Sequence, residues 1–215
     1  RGYQNLRQDF FLFERKQDFS LRLRFDERRG FSQFALASER SYRRERSLRM
    51  KTQLVKEIGL QADVILLDDE VLASAFSSRA RDIVSSNLIA DLSYRPWNAV
   101  EIGFVVDSKS ATDSYPTVPV QASITSLTLR STTRFEGPGR LRAEIERSDV
   151  SFDTEVERVP FELTDGRVEG QSWVWRINFD YRLTDFMQAT LSYLGRAEGD
   201  RDTVHIARAE VKAFF

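Results

Sequence analysis

The sequence predicts an all-β fold, an antiparallel up-and-down transmembrane β-barrel of about ten strands, and three observations carry that expectation. The first is alternation. Trp173, Trp175, Ile177, Phe179, Tyr181 and Leu183 share one parity, against Val174, Arg176, Asn178, Asp180 and Arg182 on the other. Ala207, Ala209, Val211, Ala213 and Phe215 repeat the pattern against Arg208, Glu210 and Lys212. A period of two is a strand with one apolar and one wet face. The second is loop length. Tight turns at Glu57–Gly59, Arg95–Asn98, Glu136–Arg140 and Leu183–Phe186 alternate with longer polar stretches at 28–45, 71–82, 108–121 and 151–170. Short turns on one rim and long loops on the other are a barrel arrangement, and a soluble meander has no reason to sort them. The third is dimension. Trp173 to Leu183 spans roughly 33 Å of strand at ~3.3 Å per residue. At a tilt near 40° this projects to about 25 Å, the height of a barrel's apolar band.

The elements follow in chain order. Strands are expected near 18–27, 46–57, 60–70, 83–95, 98–107, 122–135, 140–150, 171–183, 186–197 and 202–215. Phe19, Leu21, Leu23 and Phe25 oppose Arg22, Arg24 and Asp26 in the first. Leu88, Ala90, Leu92 and Tyr94 oppose Asp91, Ser93 and Arg95 in the fourth. All five prolines fall between strands, where a missing N–H breaks no ladder. Gly103 and Gly195 are the glycines inside strands. Residues 1–17 are a lead-in or the end of an upstream strand, with Phe11 and Phe13 on one parity, and 18–215 form the barrel domain. Residues 32–58 and 60–78 also carry helical propensity through their Ala, Glu, Arg and Leu.

Composition bounds the function. Lys plus Arg number 32 and Asp plus Glu 33, so net charge gives no support to a nucleic-acid partner. The absence of cysteine excludes disulfides and thiolate metal sites. No apolar run approaches the roughly 18 residues of a membrane helix. The chain starts at Arg1 without a signal-like segment, as expected of a processed chain or the C-terminal piece of a longer one.

Candidate chemistry is sparse. His205, the one histidine, shares its parity with Phe215, whereas Ser192 has the parity of the charged face. A nucleophile site needs both within hydrogen-bond reach. No catalytic residue, metal or cofactor is therefore expected. Arg142, Glu144, Glu146, Arg176, Asp180, Arg182, Arg208, Glu210 and Lys212 are expected to line the lumen as a salt-bridge network, adjacent opposite charges stabilising strand pairing. Trp173, Trp175, Ile177, Phe179, Tyr181, Leu183 and Phe215 are expected against lipid. Asp68, Asp69 and Glu70 alternate in direction and read as a solvated loop edge. The basic stretch 39–49 lacks the aromatic interleaving of a single-strand nucleic-acid binder and reads as a solvated loop or lumen face. No phosphate-binding glycine motif is present.

The last strand, VHIARAEVKAFF with terminal Phe215, and the strand WVWRINFDYRL resemble the C-terminal region of bacterial outer-membrane β-barrel proteins. Ala213 departs from the pattern, standing where an aromatic is often found. The resemblance covers roughly 80–215. It implies an outer-membrane location and a final strand recognised by the barrel-assembly machinery. It also implies contact with membrane lipid and lipopolysaccharide, and other outer-membrane subunits as partners. A structural wall or a pore for transport or secretion is the expected function. A β-sandwich binding module and a barrel enzyme acting on lipid are the alternatives.

Overall fold

The computed structural model describes residues 1–13, 18–34, 37–73, 80–135, 137–153, 160–199 and 201–214. They form one antiparallel sheet whose spatial order is the chain order. The strands are β1 (Gly2–Leu12), β2 (Phe19–Gln33), β3 (Ser38–Val55), β4 (Ile58–Ala73), β5 (Arg81–Trp97), β6 (Val100–Asp113), β7 (Val120–Arg134), β8 (Gly139–Phe152), β9 (Gly170–Thr184), β10 (Met187–Glu198) and β11 (Val204–Ala213). A four-residue helix, α1 (Phe161–Thr164), lies between β8 and β9. No pairing joins β1 to β11 among the described residues, so the sheet is open, with two free edges.

Register places each strand's apolar parity on a common face. Leu23 pairs with Leu48, Leu48 with Val64, Val64 with Leu88. Leu92 pairs with Phe104, Phe104 with Leu129, Leu129 with Ile145, and Ile145 with Trp175. Beyond them, Ile177 pairs with Tyr193 and Tyr193 with Ala207. A one-residue slip at any pairing would throw the rest of this row onto the opposite face. Many of these side chains are exposed, Leu88 at 52% and Leu129 at 50% among them. The buried polar side chains Asp26, Asp63, Asp69, Ser85, Lys109, Asp113, Ser126 and Ser148 lie on the other face. Burial on the charged side and exposure on the apolar side mark the charged side as the concave face of a curled sheet and the apolar side as its convex face. Register shifts at Gln53/Val55, Tyr94/Trp97 and Met187/Gln188 all adjoin tight turns, where a bulge adds the twist that curvature needs.

Several expectations are corrected. The count is eleven strands where about ten were expected: of the two readings of residues 1–17, a lead-in or the end of an upstream strand, residues 2–12 take the second and pair fully with β2. Within 28–45, residues 28–33 and 38–45 are strand rather than loop: β2 runs to Gln33 and β3 starts at Ser38. The helical alternative over 32–58 and 60–78 gives way to β3 and β4. In a helix the arginines of 39–49 would crowd one another, whereas in β3 they divide between the two faces of the sheet. Asp68–Glu70 are strand residues, not a loop edge. Phe215, Glu136 and residues 74–79 and 154–159 lie outside the described residues.

Candidate functional site

The concave face is a ladder of ion pairs, each member placed by strand parity. On the β1 side, Asp9 accepts hydrogen bonds from Arg22, Arg24 and Arg7 at 2.9–3.0 Å. Arg28 donates to Asp26 at 2.7 Å. Asp63 accepts from Arg49 at 2.6 Å and from Gln61 at 2.8 Å. Arg130 on β7 reaches across β6 to both carboxylate oxygens of Asp91 on β5, at 2.7 and 2.8 Å. Gly103 on β6 makes that reach feasible: a Cβ there would collide with the Arg130 side chain. Gly195 does the same on the convex face, leaving room for the Trp175 ring. Gly103 and Gly195 are thus clearances for a cross-strand side chain.

The predicted lumen residues share this concave face, and register sorts them into rows. Glu144 stands opposite Arg176 and binds it in a short ion pair, while Glu146 lies 3.6 Å from the same guanidinium. Arg140 and Thr190 both donate to Asp180, at 3.3 and 3.0 Å. Lys212 and Glu210 are 3.5 Å apart. Arg142, Asn178, Ser192 and Arg208 form one row across β8 to β11. Among the described residues Arg142, Arg182 and Arg208 have no carboxylate within ion-pair distance. Trp173, Trp175, Ile177, Phe179, Tyr181 and Leu183 stand on the convex face, where Phe179 and Tyr181 stack at 6.0 Å.

His205 is also convex, its Nδ1 2.8 Å from the Tyr193 hydroxyl and its ring 6.1 Å from Trp175. Ser192 is on the opposite face, so this serine and this histidine do not form a nucleophile–base pair. Asp68 and Asp69 also point to opposite faces. Asp69 binds Arg81 at 2.9 Å and Asp68 lies 3.7 Å from Arg46.

The part missed by sequence reasoning is the segment 160–169, expected as part of the long polar loop at 151–170. It folds onto the concave face of β5–β8. Leu163 of α1 is fully buried among Ile83, Ala111, Val120 and Ala122, with Phe152 packed alongside. The chain reverses at Asp165 (φ 56°) and Gly166 (φ 75°), left-handed positions that Asp tolerates and Gly favours. That reversal aims the Asp165 carboxylate at Lys109, whose Nζ lies 2.8 and 2.9 Å from its two oxygens and 3.2 Å from the Glu162 carbonyl. It also sends Arg167 back to Ser126 at 2.6 Å and Glu146 at 2.8 Å. Arg81 holds Glu162 at 2.8 Å while keeping Asp69. The nearly buried Lys109 is tolerable because its donors are satisfied. One signal was legible: the inward parity is aliphatic at 83, 111, 120, 122, 124 and 150, a cluster at the long-connection end of β5–β8.

The sequence matches no family model and no curated protein. Its fold is similar to solved structures. The FrpB iron transporter of Neisseria meningitidis aligns with TM-score 0.69 and 9% identity, over 91% of this chain and 36% of its own. The siderophore receptor PirA of Acinetobacter baumannii aligns with TM-score 0.74 and 9% identity, over 98% and 38%. A loop L8 deletion mutant of OmpT, an outer membrane protein of Vibrio cholerae, aligns with TM-score 0.59 and 7% identity, over 98% and 97%. The fold is that of the bacterial outer-membrane β-barrel proteins, and the chain spans well under half the length of the first two.

Proposed function

We propose that this chain is a stretch of wall in a bacterial outer-membrane pore or transporter, with a non-enzymatic role. The convex face lies against lipid. The concave face lines an aqueous passage, and the segment 160–169 narrows it. The partition of eleven strands into an apolar convex band and an ion-paired concave face carries this reading. In hydrocarbon a charged side chain is costly, and alternation is how a strand satisfies lipid and water at once. Mixed charge along the concave face argues against strong selection by sign. The bilayer, the barrel-assembly machinery acting on the C-terminal strand, and other outer-membrane subunits are the partners that accompany this reading.

The free edges of β1 and β11 favour a wall continued by further strands, since unpaired backbone groups are expensive in lipid. Outer-membrane transporters of about 22 strands offer room for a wall of this width. The match along 97% of the OmpT variant favours a second reading, in which the strands close alone around a narrow lumen.

The test is the native protein from isolated outer membranes, run on a gel unboiled and boiled. Heat-dependent mobility supports a barrel. A shifting band at the mass of this chain favours the small barrel, and a larger one the extended wall. Recovery in the soluble fraction with no shift contradicts both.

A further inference from the structure

Among the described residues, arginine stands directly opposite arginine at three positions of the concave face, and one of them differs from the other two. Arg22 faces Arg49, Arg28 faces Arg43, and Arg134 faces Arg140. Side chains so paired have Cβ atoms about 4.5–5.5 Å apart, and like charges there destabilise the pairing. In the first two pairs each arginine has a carboxylate of its own. Asp9 serves Arg22 at 2.9 Å, Asp63 serves Arg49 at 2.6 Å, Asp26 serves Arg28 at 2.7 Å and Glu45 serves Arg43 at 3.6 Å. In the third pair Arg134 has none among the described residues. Arg140 has a single 3.3 Å contact with Asp180, which also accepts from Thr190 at 3.0 Å.

The unrelieved pair borders a hollow. Beside the tight turn between β7 and β8, Arg134, Arg140, Arg182, Asp180 and Gln188 line an open space of about 450 Å³. Strand parity turns all three arginines to the concave face. Arg182 ends β9, where its backbone N–H donates to the Pro138 carbonyl at 3.2 Å and ties that strand to the turn. Gln188 stands opposite Arg182 and adds an amide donor. Arg134 and Arg182 are exposed, and among the described residues neither guanidinium is engaged by a carboxylate. Asp180 offsets one of the three positive charges in the hollow and leaves two uncompensated.

We propose that this hollow binds a small oxyanion carrying two negative charges, a phosphate or a dicarboxylate, at the tight-turn mouth of the passage. This rests on the reading that the concave face is wet. The two uncompensated charges set the charge of the ligand. The planar guanidinium fork matches a phosphate or carboxylate head group with paired donors, a geometry that chloride cannot use. An anion shared by Arg134 and Arg140 turns their mutual repulsion into a common attraction. The signs are mixed over the rest of the face, so the hollow captures an anion without closing the passage to other solutes.

The experiment is a calorimetric titration of the full chain in detergent micelles with inorganic phosphate and with succinate, at fixed ionic strength in chloride. Saturable binding of at least one is expected, and the one that binds identifies the head group. Binding of neither overturns the proposal. Arg134→Gln and Arg182→Gln should each weaken binding about fivefold. Arg7→Gln/Arg43→Gln, which removes two partly exposed arginines from the β1–β3 side of the same face, should leave it unchanged. Equal loss in the two sets would mean attraction by diffuse charge and overturns the site. If the hollow variants do not fold, the unfolding midpoint of the wild type gives the answer. It should rise with the dianion over chloride of equal ionic strength, and equal midpoints contradict the site. Thr132→Cys, two residues before Arg134 on the same face, separates the two readings. Labelling by a water-soluble maleimide without anion binding contradicts the site alone, whereas protection contradicts the wet face on which it rests.

Discussion

Under the segment 160–169, the concave face of β5–β8 is dry, and Leu163 fills an aliphatic patch completely. Over β1–β3 the same face holds no fully buried aliphatic side chain among the described residues, and its ladder sets the buried carboxylates of Asp26 and Asp63 against half-exposed Arg28 and Arg49. The two regions share a backbone architecture and differ only in what the inward parity carries. A β wall whose inner face is charged offers nothing for a segment to bury against. Where the strands substitute Ile83, Ala111, Val120 and Ala122, a segment docks. The docking site is thus written in the strands rather than in the docked segment.

The largest effect should come from the apolar contact. Leu163→Ala is expected to cost the docking about 2–5 kcal/mol. Hydrogen exchange at 161–167 should accelerate steeply while β5–β8 keep their protection, and unchanged exchange would remove the contrast between the regions. Asp165→Asn should cost less, about 1–3 kcal/mol, because it leaves the buried Lys109 short of its counter-charge although Asp165 itself is largely exposed. Exchange of the same amides should rise by less than in Leu163→Ala. The smallest effect belongs to the open ladder. Arg43→Ala breaks a 3.6 Å pair with Glu45 in which both side chains are partly exposed and should cost below about 1 kcal/mol. Urea unfolding in vesicles at low and high salt checks this, with the difference shrinking as salt rises. A salt-independent loss of several kcal/mol would mean that this ladder is a second core.

The strands that were plain in the sequence are those with a wet and a greasy parity, β9 and β11 above all. What stayed hidden has a common cause. Near the long connections both faces of β2–β4 are polar, with Asp26 beside Glu27, Arg28 beside Arg29 and Arg43 beside Arg44. The period of two vanishes from the letters while the backbone ladder continues, and 28–45 read as loop. β1 was visible only at its end, through Phe11 and the Phe13 that follows it, since its first half, YQNLRQD, carries little contrast. The docking of 160–169 was hidden because four helical residues have no legible periodicity. Its receptor was present as misplaced aliphatics, a departure from alternation easily taken for noise. Most of the concave charges were assigned to one face by parity alone, but which carboxylate each arginine holds is set by register. Arg130 binding Asp91 over Gly103 needs three strands aligned.

The central claim is that one parity meets lipid and the other water. The chain has no cysteine, so single cysteines report without background. Asn87→Cys, Leu88→Cys, Ile89→Cys and Ala90→Cys, placed in turn in the protein in vesicles, sample four successive positions of β5. A water-soluble maleimide should label 87 and 89 and spare 88 and 90. A fluorophore at 88 and 90 should be quenched by nitroxide lipids. Uniform labelling of all four, or protection of 87 and 89 with labelling of 88 and 90, would contradict a wall with lipid on its convex face.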